Sequence, residues 1–159
     1  MSLVLDGSAG VTFPTGSGTQ GAQSKVLQVV NATYSTQVTT TSSSFVTTGL
    51  TASITPLFAT SKILVIATVP TSSSTSGQNS TLTIYRNGSN IAPNSNLAAL
   101  QGGSAQFVSL CLTILDSPVS TSATTYTIYG FASGGSTATF NSLATGNSSS
   151  SITLMEIAQ

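Results

Sequence analysis

The sequence lacks histidine and tryptophan, and its 159 residues include one cysteine and only six charged side chains. The charged residues are Asp6, Lys25, Lys62, Arg86, Asp116 and Glu156. General acids, general bases, metal ligands and phosphate-binding groups come mainly from histidine, cysteine and charged residues, which are absent or scarce in this sequence. We therefore expect a protein that is not an enzyme, has no catalytic residues and holds no metal or cofactor.

Net charge is absent as well, because three cations balance three anions. Nucleic-acid binding requires clustered Lys and Arg that neutralise phosphates, and three scattered cations form no such cluster. A chain without net charge also has little electrostatic protection against self-association. These features predict no nucleic-acid partner and favour a permanent homo-oligomer.

Long apolar segments are missing too. Residues 1–10 have no basic start and no apolar stretch, and no run of 18 apolar residues occurs. We therefore expect synthesis in the cytoplasm and no membrane partner. Cys111 lies inside the apolar run 107–115 with no histidine to activate it, which is typical of a buried small hydrophobic residue.

Serine and threonine dominate what is present, with 29 and 27 residues interleaved with Val, Ile and Leu. The 39% hydrophobic content argues against disorder. No window of eleven or more residues sustains a helical period, whereas strand patterns recur along the chain. We predict an all-β fold. The predicted strands are 25–34, 45–50, 52–55, 62–69, 81–86, 105–115, 124–132, 138–142 and 151–157.

Turn signals and strand number favour a β-sandwich, and the favoured topology is a jelly roll of about eight antiparallel strands. Asn87-Gly88 predicts a two-residue hairpin turn, and Gly134-Gly135 separates two further strands. Arg86, directly before the first turn, is expected to be solvent-exposed, with contact to a ligand or pairing with an acid as the alternative.

Two runs, 63–67 and 108–115, are nearly continuous in apolar residues, as in strands covered on both faces. In an all-β domain, a covered outer face implies a partner subunit. Alternation in the second run predicts one face with Val108, Leu110, Leu112 and Ile114 and another with Phe107, Ser109, Cys111 and Thr113.

Residues 1–24 contain five glycines and one proline, with too few apolar side chains to build a core. We interpret them as an extended N-terminal attachment arm and residues 25–159 as the sandwich domain. The arm's apolar residues are the predicted partner-binding anchors: Leu3, Val4, Leu5, Val11 and Phe13.

Two weaker hypotheses remain open at this point. Asp116 and Glu156 are the carboxyl pair that a small polysaccharide hydrolase would need. Tyrosines and polar loops are also able to contact a carbohydrate. The candidates for such contacts are Tyr34, Tyr85, Tyr126 and Tyr129.

The opening LDGSAGVTFP, residues 5–14, resembles the L-D-G-x-x-G-V-T-F-P segment near the start of bacteriophage tail-fibre and other virion-surface proteins. The segments TLTIYRNG (81–88) and SITLMEI (151–157) resemble strands of the β-rich domains in such proteins. The resemblance implies a homotrimer of jelly-roll or related subunits on the outer surface of the virion. Its partners would then be the major capsid protein or tail proteins.

Chain length favours a compact appendage over a long fibre, because one domain and a short arm leave no room for a repetitive shaft. The leading hypothesis is a capsid decoration (cement) protein or short head fibre whose arm binds the shell. The alternative is a tail fibre or receptor-binding module that recognises a host surface glycan or protein.

Overall fold

The computed structural model is built from β-strands. The residues that it describes are 4–6, 10–12, 25–75, 78–92, 96–101, 106–141 and 148–159. No helix occurs within these ranges. Strands β1 (Val4–Asp6) and β2 (Gly10–Thr12) pair antiparallel with each other. The remaining strands form two antiparallel sheets, sheet I and sheet II, which pack face to face.

Sheet I is organised around one long central strand. Its strands are β3 (Val26–Tyr34), β4 (Val38–Thr40), β6 (Lys62–Ser73), β10 (Gln106–Asp116), β12 (Ala138–Phe140) and β13 (Ser150–Ile157). β6 pairs with β10, with β13 and with β12. β3 and β4 pair with β13 and β12 respectively, at the far side of the sheet.

Sheet II covers the inner face of sheet I. Its strands are β5 (Val46–Ile54), β7 (Asn79–Arg86), β8 (Ser89–Asn90), β9 (Ala98–Gln101) and β11 (Thr124–Ala132). β11 lies between β5 and β7, and β7 pairs with both β8 and β9.

The strand order is that of a jelly roll. Three pairs of strands each count as one strand with an interruption: β3 with β4, β8 with β9, and β12 with β13. The two sheets then contain eight strands, with β1 and β2 left out. Sheet I then has the order first, eighth, third, sixth, and sheet II the order second, seventh, fourth, fifth. Eight strands wound as two Greek keys give this arrangement. The predicted all-β sandwich is therefore confirmed.

The core follows from the two-residue period of the strands. In β6, Ile63, Val65, Ala67 and Val69 are at most 1% exposed, and the residues between Lys62 and Thr68 that alternate with them are partly exposed. The inner face of β11 is likewise buried. Full burial of each large apolar side chain contributes about 1.5–3 kcal/mol, so the two facing sheets stabilise one another.

Most predicted strands occur, with two kinds of correction. The prediction 124–132 matches β11, and those for β3 and β13 differ by one residue. The predictions 45–50 and 52–55 were wrong as separate strands, because β5 runs unbroken through an irregular pairing with β11. β4, β8 and β9 are short, polar or Ala-rich, and their sequences did not predict them.

Both glycine turns are present, but one connects strands of the same sheet and the other connects strands of different sheets. Asn87 and Gly88 have φ of 48° and 84°, and they join β7 to β8 as the predicted two-residue hairpin turn. Gly134 and Gly135, with φ of 60° and 76°, instead carry the chain from β11 in sheet II to β12 in sheet I.

We expect Gly49→Ala to destabilise the protein more than Gly88→Ala. Both glycines have φ near 85°, which costs an L-residue about 1–2 kcal/mol. A Cβ at Gly49 would also lie 2.5 Å from ring atoms of Tyr34, whereas a Cβ at Gly88 would have no other heavy atom within 4 Å apart from its chain neighbours. Overpacking adds about 1–3 kcal/mol at Gly49 alone. Urea unfolding of both variants measures the difference, and equal losses would contradict the Tyr34 contact.

Candidate functional site

The charged residues of the sandwich lie together at one end. Strand directions bring residues 25–26, 55–62, 86–89, 116–124 and 156–159 to this end, which we call the charged end. All five charged residues after Asp6 belong to it: Lys25, Lys62, Arg86, Asp116 and Glu156. The sequence alone did not predict this clustering, because the five residues are spread over 132 positions of chain, from 25 to 156.

The opposite end, which we call the neutral end, contains residues 41–45, 74–75, 78 and 133–137. The Ser74 amide donates to the Thr137 carbonyl at 3.0 Å, and the Ala132 amide donates to the Ser42 carbonyl at 2.9 Å. These segments contain no charged residue. The sandwich therefore has two chemically different ends.

Arg86 and Asp116 form an ion pair between the two sheets at the charged end. Nη1 of Arg86 lies 2.8 Å from each carboxylate oxygen, and the Tyr126 hydroxyl donates to Oδ2 of Asp116 at 2.7 Å. Burial, followed by this hydrogen bond and the Asp116 charge, raises the pKa of Tyr126 far above its ordinary value. The expectation of a solvent-exposed Arg86 was wrong, because the Asp116 carboxylate holds its guanidinium between the sheets.

Glu156 is fully buried and holds the loop between β5 and β6. Its Oε2 accepts a hydrogen bond from Nε2 of Gln28 at 2.6 Å. Oε1 accepts from the backbone amides of Leu57 and Phe58 at 2.8 Å and 3.3 Å. Burial by itself raises the pKa of the carboxyl, but these hydrogen bonds outweigh it and hold the pKa below its ordinary value. Glu156 is therefore a buried carboxylate whose charge is satisfied by donors.

The two carboxylates lie on the same inner face of sheet I without meeting. Asp116 and Glu156 both pair with Ile63, one from each side, so their backbones are two strand spacings, about 10 Å, apart. Ile63 lies between them and is fully buried. Because both carboxylates accept hydrogen bonds that hold the fold together, the geometry adds no support to the hydrolase hypothesis.

The outer face of sheet I carries a continuous apolar surface. Val29, Met155, Leu64 and Leu115 are direct neighbours in one row across four strands. Val29 and Leu115 are 55% and 53% exposed. Together with Ile66 on β6, these residues define what we call the apolar face. The row spans three strand spacings, about 14 Å, from Val29 to Leu115, and exposed apolar surfaces of this kind are candidate contact sites.

β10 forms one border of the apolar face. It pairs with β6 over its whole length, and no second strand pairs with it in the described part of the chain. The predicted division of its faces is confirmed, since Leu112 points inward and Phe107 outward. Cys111, predicted to be buried, is exposed, because its side chain lies on the outward face of β10, whereas the inward Leu112 is buried. Residues 106–115 of this edge are uncharged, and long edges of this kind favour pairing with another chain.

The four tyrosines considered for glycan contacts do not form one surface. Tyr126 is fully buried, and the Tyr34 ring lies over Gly49. Tyr85 and Tyr129 stack at 4.0 Å between ring centroids on the outer face of sheet II. Two phenylalanines extend that pair into an aromatic cluster through contacts of Phe45 with Tyr85 and Phe131.

Of the predicted arm anchors, Leu3 and Phe13 lie outside the described residues. Val4 and Leu5 belong to β1 and Val11 to β2, for which the structure describes backbone pairing only. The anchor role of these five residues stays a prediction.

The described residues contain neither a metal-binding cluster nor a membrane-spanning helix. Within the described ranges, no three His, Cys, Asp or Glu side chains lie close enough together to hold a metal ion. The same residues include no helix with the length and apolar character needed to cross a bilayer. Comparison with known families found no matching family model, and comparison with curated proteins found no matching sequence.

We expect Glu156→Gln to lower stability by about 1–3 kcal/mol at pH 7, because buried donors lose a charged acceptor. The folded-state pKa of Glu156 lies below its ordinary value of 4.5. Its stabilisation is therefore complete above the unfolded pKa and is lost as the pH falls through the folded pKa. Urea unfolding at neutral and acidic pH should show the wild-type advantage shrinking in acid.

Gln28→Ala is the matched control, since it removes one donor and leaves the carboxylate in place. It should cost less and keep part of the acid dependence of the wild type, because the amides of Leu57 and Phe58 still donate to the carboxylate. An advantage of wild type over Glu156→Gln that stays constant with pH would contradict the assignment.

Proposed function

We propose that this protein is a structural component of a bacteriophage virion surface, a homotrimeric capsid decoration or cement protein or a short head fibre. The observation that carries the proposal is the apolar face on the outside of sheet I. The resemblance of residues 5–14 to phage virion-surface proteins and the jelly-roll strand order support it. The N-terminal segment 1–24 is the proposed anchor on the shell.

A second copy of the chain is the proposed occupant of the apolar face. Val29 and Leu115 are more than half exposed, and none of the five residues of this face is charged. An uncharged apolar surface offers no electrostatic selection for a foreign partner. The edge of β10, uncharged from 106 to 115, continues the face and offers backbone hydrogen bonds to the same neighbour. Closure around a threefold axis would cover this face in every subunit.

The proposed anchor gains strength from repetition. Because β1 and β2 pair with each other, the reach of the segment comes from residues 13–24. These residues would span about 40 Å when extended, well beyond a domain whose radius of gyration is about 15 Å. Each fully buried apolar anchor contributes about 1.5–3 kcal/mol before ordering costs. Three arms on one trimer act together, so modest individual contacts give durable attachment.

Val29→Glu combined with Leu115→Glu should convert the oligomer to monomers. The two side chains are already exposed in the subunit, so a folded monomer tolerates charges there, whereas an apolar interface does not. Analytical ultracentrifugation measures the mass, and circular dichroism checks the fold.

Thr51→Glu with Ser53→Glu is the matched control. It adds the same charge at exposed positions on the outer face of sheet II and should leave the mass unchanged. A wild-type monomer, or an oligomer that survives the Val29 and Leu115 charges, would contradict the role of the apolar face.

Deletion of residues 1–24 should abolish binding to virions and leave a folded trimer, because both sheets begin after Lys25. Cosedimentation with particles that lack the protein measures binding. A truncated protein that still decorates these particles would refute the anchor.

Cryo-electron microscopy of the virion decides the position. Copies arranged on the capsid, with N-terminal segments inserted among shell subunits, would support the decoration role. Density confined to the tail would instead support the alternative, a tail fibre or receptor-binding module that recognises a host glycan or protein.

A further inference from the structure

We infer that the charged end of the sandwich is a second contact with the shell, and that it binds an apolar protein surface bordered by carboxylates. This inference rests on the proposed function and adds the orientation of the domain. The neutral end then faces away from the particle. Three independent features of the charged end lead to this assignment.

The first feature is the point where the N-terminal segment joins the domain. β3 begins at Val26, beside Ile157 at the charged end. The Ala158 amide donates to the Lys25 carbonyl at 2.8 Å, which holds this junction against the last strand. A chain that leaves the domain here and binds the shell brings the charged end toward the shell.

The second feature is a group of exposed apolar side chains at the same end. Leu57, Phe58 and Val119 are 60%, 57% and 76% exposed. Glu156 holds the backbone amides of Leu57 and Phe58, so the first two side chains project from an ordered loop. Val119 has φ of 51°, a costly conformation for a β-branched residue. Apolar groups on an ordered loop lose less entropy on binding than groups on a flexible one.

The third feature is the sign of the remaining charge. Arg86 is neutralised by Asp116, and the Glu156 carboxylate is buried among donors. Among the described residues, no ion pair to the ammonium of Lys25 or Lys62 is present. The surface charge of this end is therefore positive, and carboxylates complement it.

The neutral end lacks all three features. Its segments 41–45, 74–75, 78 and 133–137 contain only Ser, Thr, Gly, Gln and one Phe. Phe45, the one large apolar residue, contacts Phe131 and Tyr85 of the same chain. Hydroxyl-rich loops without charge or exposed anchors suit contact with water.

Protein is favoured over a nucleic acid or a membrane as the partner. Two unpaired lysines are too few for the phosphate contacts that hold nucleic acid. Peripheral membrane attachment uses a basic amphipathic helix or a lysine cluster, and the described residues include neither.

The test uses full-length protein and particles of the encoding phage that lack it. Lys25→Gln with Lys62→Gln should weaken binding about tenfold and flatten its dependence on salt. Leu57→Ser with Phe58→Ser should weaken binding by about tenfold or more at unchanged salt dependence. Cosedimentation at low and high salt measures both, and ultracentrifugation confirms that each variant keeps the wild-type oligomer mass.

Ser43→Glu with Thr75→Glu is the control, because it shifts net charge by the same two units at exposed positions of the neutral end. It should bind like wild type. If it loses binding while the charged-end variants keep theirs, the orientation is overturned and the proposed function stands. Wild-type protein that binds anionic phosphatidylserine vesicles but no particle would overturn both proposals. The lysine variant keeps the test valid if the apolar variant does not fold.

Discussion

The structure depends on the pairing and alternation of one strand, β6. Along one edge it pairs with β10, and along the other with β13 and then β12. Its inner residues Ile63, Val65, Ala67 and Val69 form the centre of the core. A shift of one residue in the pairing of β6 would move all four side chains to the outer face. Burial of these side chains therefore specifies the register of β6 with its three neighbouring strands. The exposed row that includes Leu64 is the other side of the same alternation.

The few charged side chains stabilise the fold, and they make the two ends of the sandwich chemically different. Asp116 and Glu156, one on each side of Ile63, hold a guanidinium, a tyrosine hydroxyl and two loop amides. Buried carboxylates need such donors, since an uncompensated charge would be strongly destabilising. Of the cations in the described part of the structure, Lys25 and Lys62 have no ion pair. Charge neutrality of the whole chain therefore coexists with a positive end and an uncharged end.

Side-chain alternation and turn residues predicted the strands and turns whose conformation is set by neighbouring residues in the sequence. β11 and the Asn87-Gly88 turn carry their own alternation and φ preference, so both matched. β5 was predicted as two strands, 45–50 and 52–55, but in the structure it is one strand, with Tyr34 packed over Gly49. The strand pairing of β4 with β12 involves residues about 100 positions apart, and no local signal contains it. Cys111 was wrongly predicted to be buried, because an apolar run does not reveal whether the outer face of its strand is covered.

The sequence by itself determined the fold class, since two-residue alternation, turn residues and the lack of helical periodicity leave few alternatives to an all-β sandwich. It also determined how little acid–base chemistry the chain contains. Only the tertiary structure decided which faces meet: it gathered five distant charges at one end and aligned Val29, Met155, Leu64 and Leu115 in one row. The physical reason is that side-chain alternation is local, whereas strand order and register come from pairing between segments far apart in the chain.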